Sequence, residues 1–311
     1  MKNISVCGMN ILEKARDFIY RNARPLDLTR YQFHFENGSA DAVMNTLAAY
    51  QNEDGGFGHA LEPDCWNPNS TPIATWFATE VLREIGWEDA SHSIVQGILR
   101  YLESGTDFDM AHHQWLNVVP TNNDHPHAIW WTYGDSGSGF KYNPTASLAG
   151  FIIRYADPKT QLYQKGVLIA KEAFAFLEAS VPFDEQHITA CFCNLYDDCI
   201  ASKTSFLDMN KFSEFLRKQV KHCIDPNYET WFAEYHTKPS DFILSKDSMF
   251  YKDNKELLLK ERELLPQYQS EDGGFPVTWQ WWTDYPEQHL ATVWWRSYFA
   301  IRNMLFLRNT I

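Results

Sequence analysis

The chain has 311 residues, 44% of them hydrophobic, which suits one large globular domain or two medium ones. Its formal net charge of -13 argues against binding to nucleic acid, because lysine and arginine clusters hold phosphate groups. The most apolar run, 289–307, is interrupted by Arg296 and Arg302, so we expect no membrane span. The first residues lack the apolar region of a signal peptide, and we therefore expect a cytoplasmic protein with reduced cysteines.

Apolar residues recur at helical spacing along nearly the whole chain, and no run alternates as a strand would. The third predicted helix is marked most clearly, by Ser70 or Thr71 as a cap, Pro72 in the first turn and Gly86 after the end. Amphipathic helices alternate, imperfectly, with helices that are apolar nearly all round, as two concentric layers would require. The predicted helices are 10–21, 39–50, 72–85, 90–103, 144–155, 161–179, 185–202, 210–222, 255–268 and 288–307.

One phrase occurs twice: YQNEDGGF at 50–57 returns as YQSEDGGF at 268–275. Each copy follows a predicted helix, and an apolar helix begins after it, so the repeat unit is helix, turn, helix. We expect the paired glycines to permit positive φ, the glutamine to satisfy backbone groups, and the phenylalanine to pack back on the helix. A fainter copy, GSGFKYNPTAS, lies at 137–147.

The repeated phrase resembles the QW-type repeat of the terpenoid cyclase and protein prenyltransferase superfamily, whose chains form a toroid of inner and outer helices. The resemblance covers most of 39–307. It implies an all-α fold, an α/α toroid of about five to six helical hairpins that forms a single domain over 1–311. It also implies a central aromatic cavity in which a small-molecule substrate, an isoprenoid or another apolar compound, is processed by acid or metal-assisted chemistry.

The activity motifs of that superfamily are only partly present. The acidic Asp-x-Asp-Asp of squalene-type cyclases is reduced to Asp197-Asp198, and 311 residues supply one helical domain where those enzymes have two, so triterpene cyclisation is not expected. Prenyl diphosphate binding would need converging cations, for which Lys141, Lys238 and Arg296 are the only obvious candidates. A prenyltransferase also works with a partner subunit, on which the sequence is silent.

Zinc or magnesium is the cofactor that the resemblance implies. Prenyltransferases bind zinc through Asp-x-Cys and a histidine just past a DGGF-like turn, where this chain has His289. The literal Asp-x-Cys, 197–199, lies too far along its helix to share one metal with a histidine at the rim. Asp184, His187 and Cys191 are better placed, since His187 and Cys191 are four apart on one helix face. The alternative is that these residues are caps or core.

A polar cluster follows the first copy of the phrase, in GHALEPDCWNPN. His59, Glu62 and Asp64 are candidates for an acid and base set, because a loop leading into an inner helix directs side chains toward the mouth of a cavity. The alternative is that the carboxylates cap helices. The second copy of the phrase has no Leu-Glu-Pro-Asp, so the turn itself does not require the cluster.

Tryptophan is abundant near the same connections, and its ring faces stabilise carbocations or stack on sugars. The long segment 109–139, with little helical period, is predicted to be a long loop or lid over the cavity. The tryptophans predicted to bind substrate are Trp66, Trp131, Trp281, Trp282 and Trp294.

Two other functions remain open. The first is a carbohydrate-active α/α-barrel enzyme, a glycoside hydrolase or lyase, in which Glu62 or Asp64 pairs with Asp284 or Glu287 across a glycosidic bond. The second is a helical binding scaffold without catalytic activity. Fold analogy alone does not choose among these classes.

Overall fold

The computed structural model describes residues 2–134 and 141–310, with side chains from residue 11 onward, and in these residues the protein is all-α, as predicted. A two-residue antiparallel pair, β1 (Phe108–Asp109) and β2 (Gln114–Trp115), is the only paired strand structure described. The helices are α1 (Lys2–Asn22), α2 (Pro25–Phe35), α3 (Ala40–Leu47), α4 (Pro72–Glu84), α5 (Ser93–Ser104), α6 (Thr145–Tyr155), α7 (Gln161–Ser180), α8 (Gln186–Ala201), α9 (Met209–Cys223), α10 (Lys255–Leu264) and α11 (Gln288–Asn309).

Every predicted helix is present, and one helix, α2, was not predicted. Its buried face carries Asp27 and Arg30 together with Leu26 and Tyr31. Because two charged residues interrupt the apolar stripe, the sequence shows no clear helical period there. The first helix also begins earlier than predicted, at Lys2.

The chain divides into two compact units, one made of 1–46 and 224–311 and the other of 47–223. We call them unit 1 and unit 2 in that order. The single toroid domain stays a prediction.

In unit 2, α6 is the central helix. It packs against α7 and α8, and α8 packs in turn against α9. All of α6 except Arg154 is buried, whereas α5 and α9 each bury only one face. The alternation of enclosed and amphipathic helices that the sequence indicates is therefore present within this unit.

The helix α4 begins as its sequence predicts. Thr71 is the N-cap, and its hydroxyl accepts a hydrogen bond from the backbone N–H of Ala74 at 3.1 Å. Pro72 occupies the first turn, where its missing N–H costs nothing, and Gly86 has a positive φ of 64° just past the end.

The first copy of the repeated phrase forms a tight turn docked on α5. Gly55 has φ 95°, and the Gln51 side chain donates to the carbonyls of Gly55 at 3.0 Å and of Ile94 in α5 at 3.1 Å. A Cβ at position 55 would lie 2.1 Å from the Gly97 carbonyl oxygen, so only glycine permits this approach. Phe57 is fully buried, as expected for a ring that packs back on the turn.

The second copy builds the same turn on a different helix. Gly273 has φ 97°, and the Gln269 side chain donates to the carbonyls of Gly273 and of Ile11 in α1, both at 2.9 Å. A Cβ at position 273 would lie 2.0 Å from the Lys14 carbonyl oxygen. Phe275 is buried like its counterpart. The predicted roles of glutamine and phenylalanine are thus confirmed in both copies, and the predicted positive φ is confirmed for the first glycine of each pair, Gly55 and Gly273.

The helix that receives each turn differs in its place along the chain. In unit 2 the order is turn, α4, α5, and the turn docks on α5. In unit 1 the turn precedes α11 and docks on α1, which lies more than 200 residues earlier in the sequence. The helix α1 therefore takes the place beside this turn that α5 takes beside the first.

The described part of the predicted lid, 109–134, contains β2 and two short 3-10 helices, Pro120–Asp124 and Ile129–Trp131. Residues 135–139 of that segment, and with them the start of the faint GSGF copy, lie outside the described residues. A covering role for the segment stays a prediction.

A buried carboxyl in unit 1 makes folding sensitive to pH. Glu261 of α10 is fully buried, and it accepts hydrogen bonds from the backbone N–H of Ser240 at 2.8 Å and from the Ser240 hydroxyl. Burial, partly offset by the charge of Lys238, raises the pKa of Glu261 to about 7. Because its folded pKa lies above the unfolded value, this group favours folding most at low pH, and that contribution is lost as the pH rises toward 7.

We expect the free energy of unfolding to fall by about 2 kcal/mol between pH 5 and pH 8 on account of Glu261 alone. Glu261→Gln should remove most of that slope, because an amide does not titrate. Urea unfolding of both proteins across this pH range measures the difference. Equal slopes in the two proteins would contradict the assignment.

Candidate functional site

The predicted acidic loop brings its two carboxylates together in unit 2. Glu62 and Asp64 are only 6% and 3% exposed, and the Glu62 Oε2 atom accepts a hydrogen bond from the Asp64 backbone N–H at 2.9 Å. The bond gives Glu62 a local structural role in closing this turn. A catalytic role for the pair stays a prediction.

The third member of the predicted set, His59, is directed elsewhere. It is exposed, and its Nε2 atom lies 2.8 Å from the Asn52 side-chain oxygen in the repeated turn. His59 and Ala60 both have positive φ, 56° and 57°. These left-handed residues redirect the backbone, so the histidine side chain supports the turn and does not join the carboxylates.

The acidic loop is fixed to the segment that follows β2. The backbone N–H of Trp66 donates to the Pro126 carbonyl, and that of Ala128 donates to the Asp64 carbonyl, both at 2.9 Å. The Asn67 side chain donates to Asn122 at 3.0 Å. The two loops therefore satisfy each other's polar groups by hydrogen bonds, which explains how a loop with so many polar groups is buried.

Two predicted substrate-binding tryptophans lie in these paired loops. Trp66 is half-buried, and its indole N–H donates to the Pro63 carbonyl at 3.0 Å. Trp131 is also half-buried, and its indole nitrogen is buried without a hydrogen-bond partner among the residues that the structure describes.

Cys65, which follows these carboxylates in the sequence, is not suited to act as a nucleophile. Burial, followed by the charges of Glu62 and Asp64, raises the pKa of Cys65 to about 12. Its thiol lies 3.4 Å from the Asn122 side-chain oxygen. The thiolate form, which is the reactive one, is therefore negligible near neutral pH.

A second polar cluster, which the sequence did not predict, joins α4, α6 and α8. Arg83 donates to the Asp198 Oδ2 atom at 2.5 Å and to the Ser147 carbonyl at 3.0 Å. Asp198 is completely buried, and Arg154 approaches its other oxygen at 3.3 Å. A Cβ at Gly150 would lie 2.9 Å from the Asp198 carboxylate, so the glycine leaves room for the charge. We call Arg83, Ser147, Arg154 and Asp198 the ion network.

A pair of carboxyls borders the ion network. Glu80 on α4 accepts hydrogen bonds from Arg83 at 2.8 Å and from the Asn194 amide on α8 at 2.7 Å. Asp197 follows Asn194 by three residues, which places both on the same face of α8. Glu80 and Asn194 are half-buried and Asp197 is exposed, so solvent reaches all three.

The surroundings of the exposed Asp197 shift its pKa. Burial first, then the charges of Asp198 and Glu80, raise the pKa of Asp197 to about 6, while Arg83 acts in the opposite direction. Surrounding protein thus disfavours the charged form although solvent still reaches the residue. A carboxyl of this kind is part protonated near neutral pH and is suited to general acid or base catalysis.

The sequence contained a signal for this cluster. Glu80 and Arg83 are two of the three charged residues in the otherwise largely apolar predicted helix 72–85, and Asp197-Asp198 lies deep in another. Charges inside enclosed helices are costly unless they are paired. Their presence indicated an internal network, although not which residues would meet.

Unit 1 presents an aromatic cluster on α11. Trp295 stacks on Phe299 with centroids 5.9 Å apart, and it meets Trp279 edge to face at 5.4 Å. Trp294 and Tyr298 are the neighbours of this pair along the helix, four residues apart. All five rings are half-buried, so part of each remains accessible. Half-exposed rings on one helix form a surface suited to an apolar or ring-shaped ligand.

Arginines lie behind this aromatic cluster, and Asp27 of α2 holds two of them. Arg24 and Arg30 donate to its two oxygens at 2.8 Å and 2.7 Å, and all three residues are buried. The Arg24 guanidinium lies 5.1 Å from the Trp294 ring centre, and that of Arg30 lies 4.9 Å from the Tyr298 ring centre. The two buried guanidinium groups therefore form cation–π contacts with these rings.

Trp281 and Trp282, which were also predicted to bind substrate, are adjacent in the sequence but differ in exposure. Trp281 is 1% exposed and Trp282 is 74% exposed, with a positive φ of 58°. Trp281 therefore belongs to the core of unit 1. A bulky residue in a left-handed conformation that faces solvent is unusual and is often found at binding surfaces.

The predicted metal ligands are not assembled into a centre. In the parts of the chain that the structure describes, no group of three or more His, Cys, Asp or Glu side chains is placed to hold a metal ion. Asp184 instead bonds to His222 at 2.6 Å, and Cys191 is buried beside Asn143. Burial raises the pKa of Cys191 well above its usual value and opposes the thiolate that zinc requires. His187 is exposed at the start of α8, and His289 is exposed at the start of α11.

Comparison with known proteins gives no relatives: no protein-family model, no curated protein and no solved structure matches this chain. None of the described helices is long and apolar enough to cross a membrane.

Proposed function

We propose that the protein is an enzyme with an α/α toroid fold that acts by general acid and base catalysis on a neutral substrate with a heteroatom leaving group, such as a glycoside. The observation that carries the proposal is the pair of carboxyls Glu80 on α4 and Asp197 on α8; Asn194, which precedes Asp197 by three residues, donates to Glu80. This is the carbohydrate alternative of the sequence analysis with a different pair of carboxyls. Glu80 and Asp197 replace the pairs that Glu62 or Asp64 would form with Asp284 or Glu287.

The toroid is supported by the two docked turns. A closed ring of helical hairpins requires contacts between hairpins that are far apart in the sequence. The turn before α11 docks on α1 through Gln269 and Gly273, as the turn before α4 docks on α5. An open stack of repeats would leave its last turn without such a partner.

The spacing of the carboxyl pair suits hydrolysis of a glycosidic bond. Glu80 contacts Asn194, and side chains three apart on a helix are about 5 to 6 Å apart. The carboxyls of Glu80 and Asp197 are therefore separated on the order of 5 to 10 Å, the range that glycoside hydrolases use. Asp197, with the raised pKa, is the candidate acid, and Glu80, held by Arg83 and Asn194, is the candidate base or nucleophile.

The charges near the site favour a neutral substrate over a diphosphate. Arg83 and Arg154 are both bound to Asp198. This arginine pair is thus partly neutralised by a buried carboxylate. A prenyl diphosphate would need cations that converge on its oxygens.

A second candidate function is acid-catalysed chemistry on an isoprenoid, which the aromatic cluster of α11 favours. The ring faces of Trp294, Trp295 and Tyr298 would stabilise a carbocation. We place it second because protonation of an alkene demands a stronger acid than a carboxyl whose pKa is near 6.

A ligand screen separates the two substrate classes. Thermal unfolding is measured with neutral oligosaccharides, with uronic oligosaccharides, and with prenyl diphosphates in the presence and absence of magnesium. A ligand at a hundred times its dissociation constant adds about 2.7 kcal/mol of stability, which shifts the melting temperature visibly. Stabilisation by a neutral sugar supports the first function. Stabilisation by prenyl compounds alone would replace it with the second.

Substitution of the carboxyl pair tests catalysis directly. We expect Asp197→Asn and Glu80→Gln each to lower kcat about 10²- to 10⁴-fold on a substrate found by the screen, because each removes a proton donor or acceptor. Both variants should fold, since Asn and Gln keep the shape and Arg83 keeps its bond to Asp198.

Glu178→Gln is the matched control, because Glu178 is a half-exposed carboxyl on α7 that pairs with Lys211. Its activity should be unchanged. Retention of full activity by both Asp197→Asn and Glu80→Gln would show that the catalytic groups lie elsewhere.

A further inference from the structure

Lys165 of α7 is held in an aromatic cage on the β1–β2 pair, apart from the carboxyl site. Its ammonium nitrogen lies 3.4 Å from the ring centre of Phe108 and 4.6 Å from that of Trp115. These two residues face each other across the strands, and their rings meet edge to face at 4.8 Å. The cage is therefore built by the pairing of the strands.

The amine has no polar partner in the cage. Lys165 makes no ion pair or hydrogen bond with any residue that the structure describes, whereas Lys211 and Lys260 each lie against a glutamate. The indole nitrogen of Trp115 is likewise buried without a described partner. Because no carboxylate lies beside it, the Lys165 amine donates no hydrogen bond to another described side chain. Once the amine is deprotonated, its lone pair is available to attack an electrophile.

Other charged groups on the neighbouring elements are engaged with each other. On the β1–β2 pair, Asp109 is bound to His112. His113 is bound to Glu172 of α7. On α6, Arg154 is bound to Asp198. Asp107, at the end of the connection from α5, has a pKa that burial raises, which favours its neutral form.

Burial lowers the pKa of Lys165 to about 8. The rings act in the opposite direction, because a cation–π contact favours the ammonium form. At pH 8 such an amine would be about half neutral, against well under 1% for a lysine with the ordinary pKa of about 10.4. Lys165 is also half-buried rather than enclosed, so a reagent can reach it.

We propose that Lys165 is an acyl-acceptor site, whose amine takes an acyl group from an activated acyl donor, an acyl phosphate or an acyl thioester. The neutral amine attacks the carbonyl carbon and forms the N–C bond. The bond from that carbon to the phosphate oxygen or thiolate sulfur breaks, and the leaving group keeps its electron pair. The proton released from nitrogen goes to solvent. The product is a neutral amide that no longer makes the cation–π contact.

The experiment compares lysines within one protein. The full chain is incubated with acetyl phosphate, and separately with an acetyl thioester, between pH 6.5 and 9.5, and acetylation at each lysine is measured by peptide mass spectrometry. Lys171 is the internal control, because it lies on the same helix but is exposed, with its nitrogen 5.9 Å from the Phe206 ring centre. We expect Lys165 to react about tenfold faster than Lys171 near pH 8, since a less basic amine is more often neutral but intrinsically less nucleophilic.

A ring variant tests the cage. Phe108→Leu keeps an apolar wall but removes the cation–π contact, so the midpoint of the pH–rate curve of Lys165 should fall below its wild-type value. Phe206→Leu is the matched control and should leave Lys165 unchanged. Faster reaction with one donor identifies the source of the acyl group. A Lys165 rate equal to or below that of Lys171, or a rate that still rises steeply at pH 9.5, overturns the proposal.

Discussion

Gly55→Ala and Gly273→Ala are each expected to destabilise the protein by about 3 kcal/mol or more. Both positions have positive φ, 95° and 97°, which disfavours any residue with a Cβ. The new methyl group would also lie 2.1 Å from the Gly97 carbonyl oxygen in one case and 2.0 Å from that of Lys14 in the other. The neighbouring atoms are backbone, so they cannot move aside without displacing α5 or α1.

The chain provides matched controls for the steric part of this effect. Gly86 and Gly105 also have positive φ, 64° and 73°, but no atom lies within 4 Å of a Cβ built at either position. Gly86→Ala and Gly105→Ala should therefore cost only about 1 kcal/mol. Urea denaturation of the four variants measures the difference. Equal losses of stability in all four variants would mean that positive φ alone, and not docking of the turn on a helix, explains why positions 55 and 273 require glycine.

The two turns show what a sequence can reveal about this fold. The repeated letters predicted the tight turn and the roles of Gln51 and Gln269, because those interactions with the turn itself are local. The helix on which each turn docks was not predictable in the same way. Gln269 bonds to Ile11, 258 residues away in sequence, and only tertiary packing determines such a contact.

The candidate site was predictable to a smaller extent. Glu62 and Asp64 were selected because they are crowded within three positions, and both are buried; their catalytic role stays a prediction. Glu80 and Asp197 were not selected as a pair, because they lie on different helices and only the packing of α4 and α8 brings them near each other. His59 has a positive φ and its side chain lies against Asn52, a local contact that the sequence did not predict. Periodicity gives the face of a helix, but the partner on the next helix depends on the packing angle and the register.

Arg83→Met is expected to destabilise the protein by about 3 to 5 kcal/mol. The guanidinium contacts all three helices of the ion network: Thr79 on α4 at 2.8 Å, the Ser147 carbonyl on α6 at 3.0 Å, and Asp198 on α8 at 2.5 Å. Without it, the buried Asp198 carboxylate would retain Arg154 at 3.3 Å as its cationic partner in the network. Burying the Asp198 carboxylate with so little opposite charge beside it lowers the free energy of unfolding.

The double variant Arg83→Met, Asp198→Leu separates the loss of the charge pair from the loss of packing. Removing both charges should recover much of the stability, since replacing a buried ion pair by apolar groups is often close to neutral. Arg100→Met is the surface control, because this exposed arginine donates only to the Glu53 carbonyl and should cost less than about 1 kcal/mol. Urea denaturation of the three variants measures these losses. A loss below about 1 kcal/mol in Arg83→Met would mean that Arg154 and water satisfy Asp198.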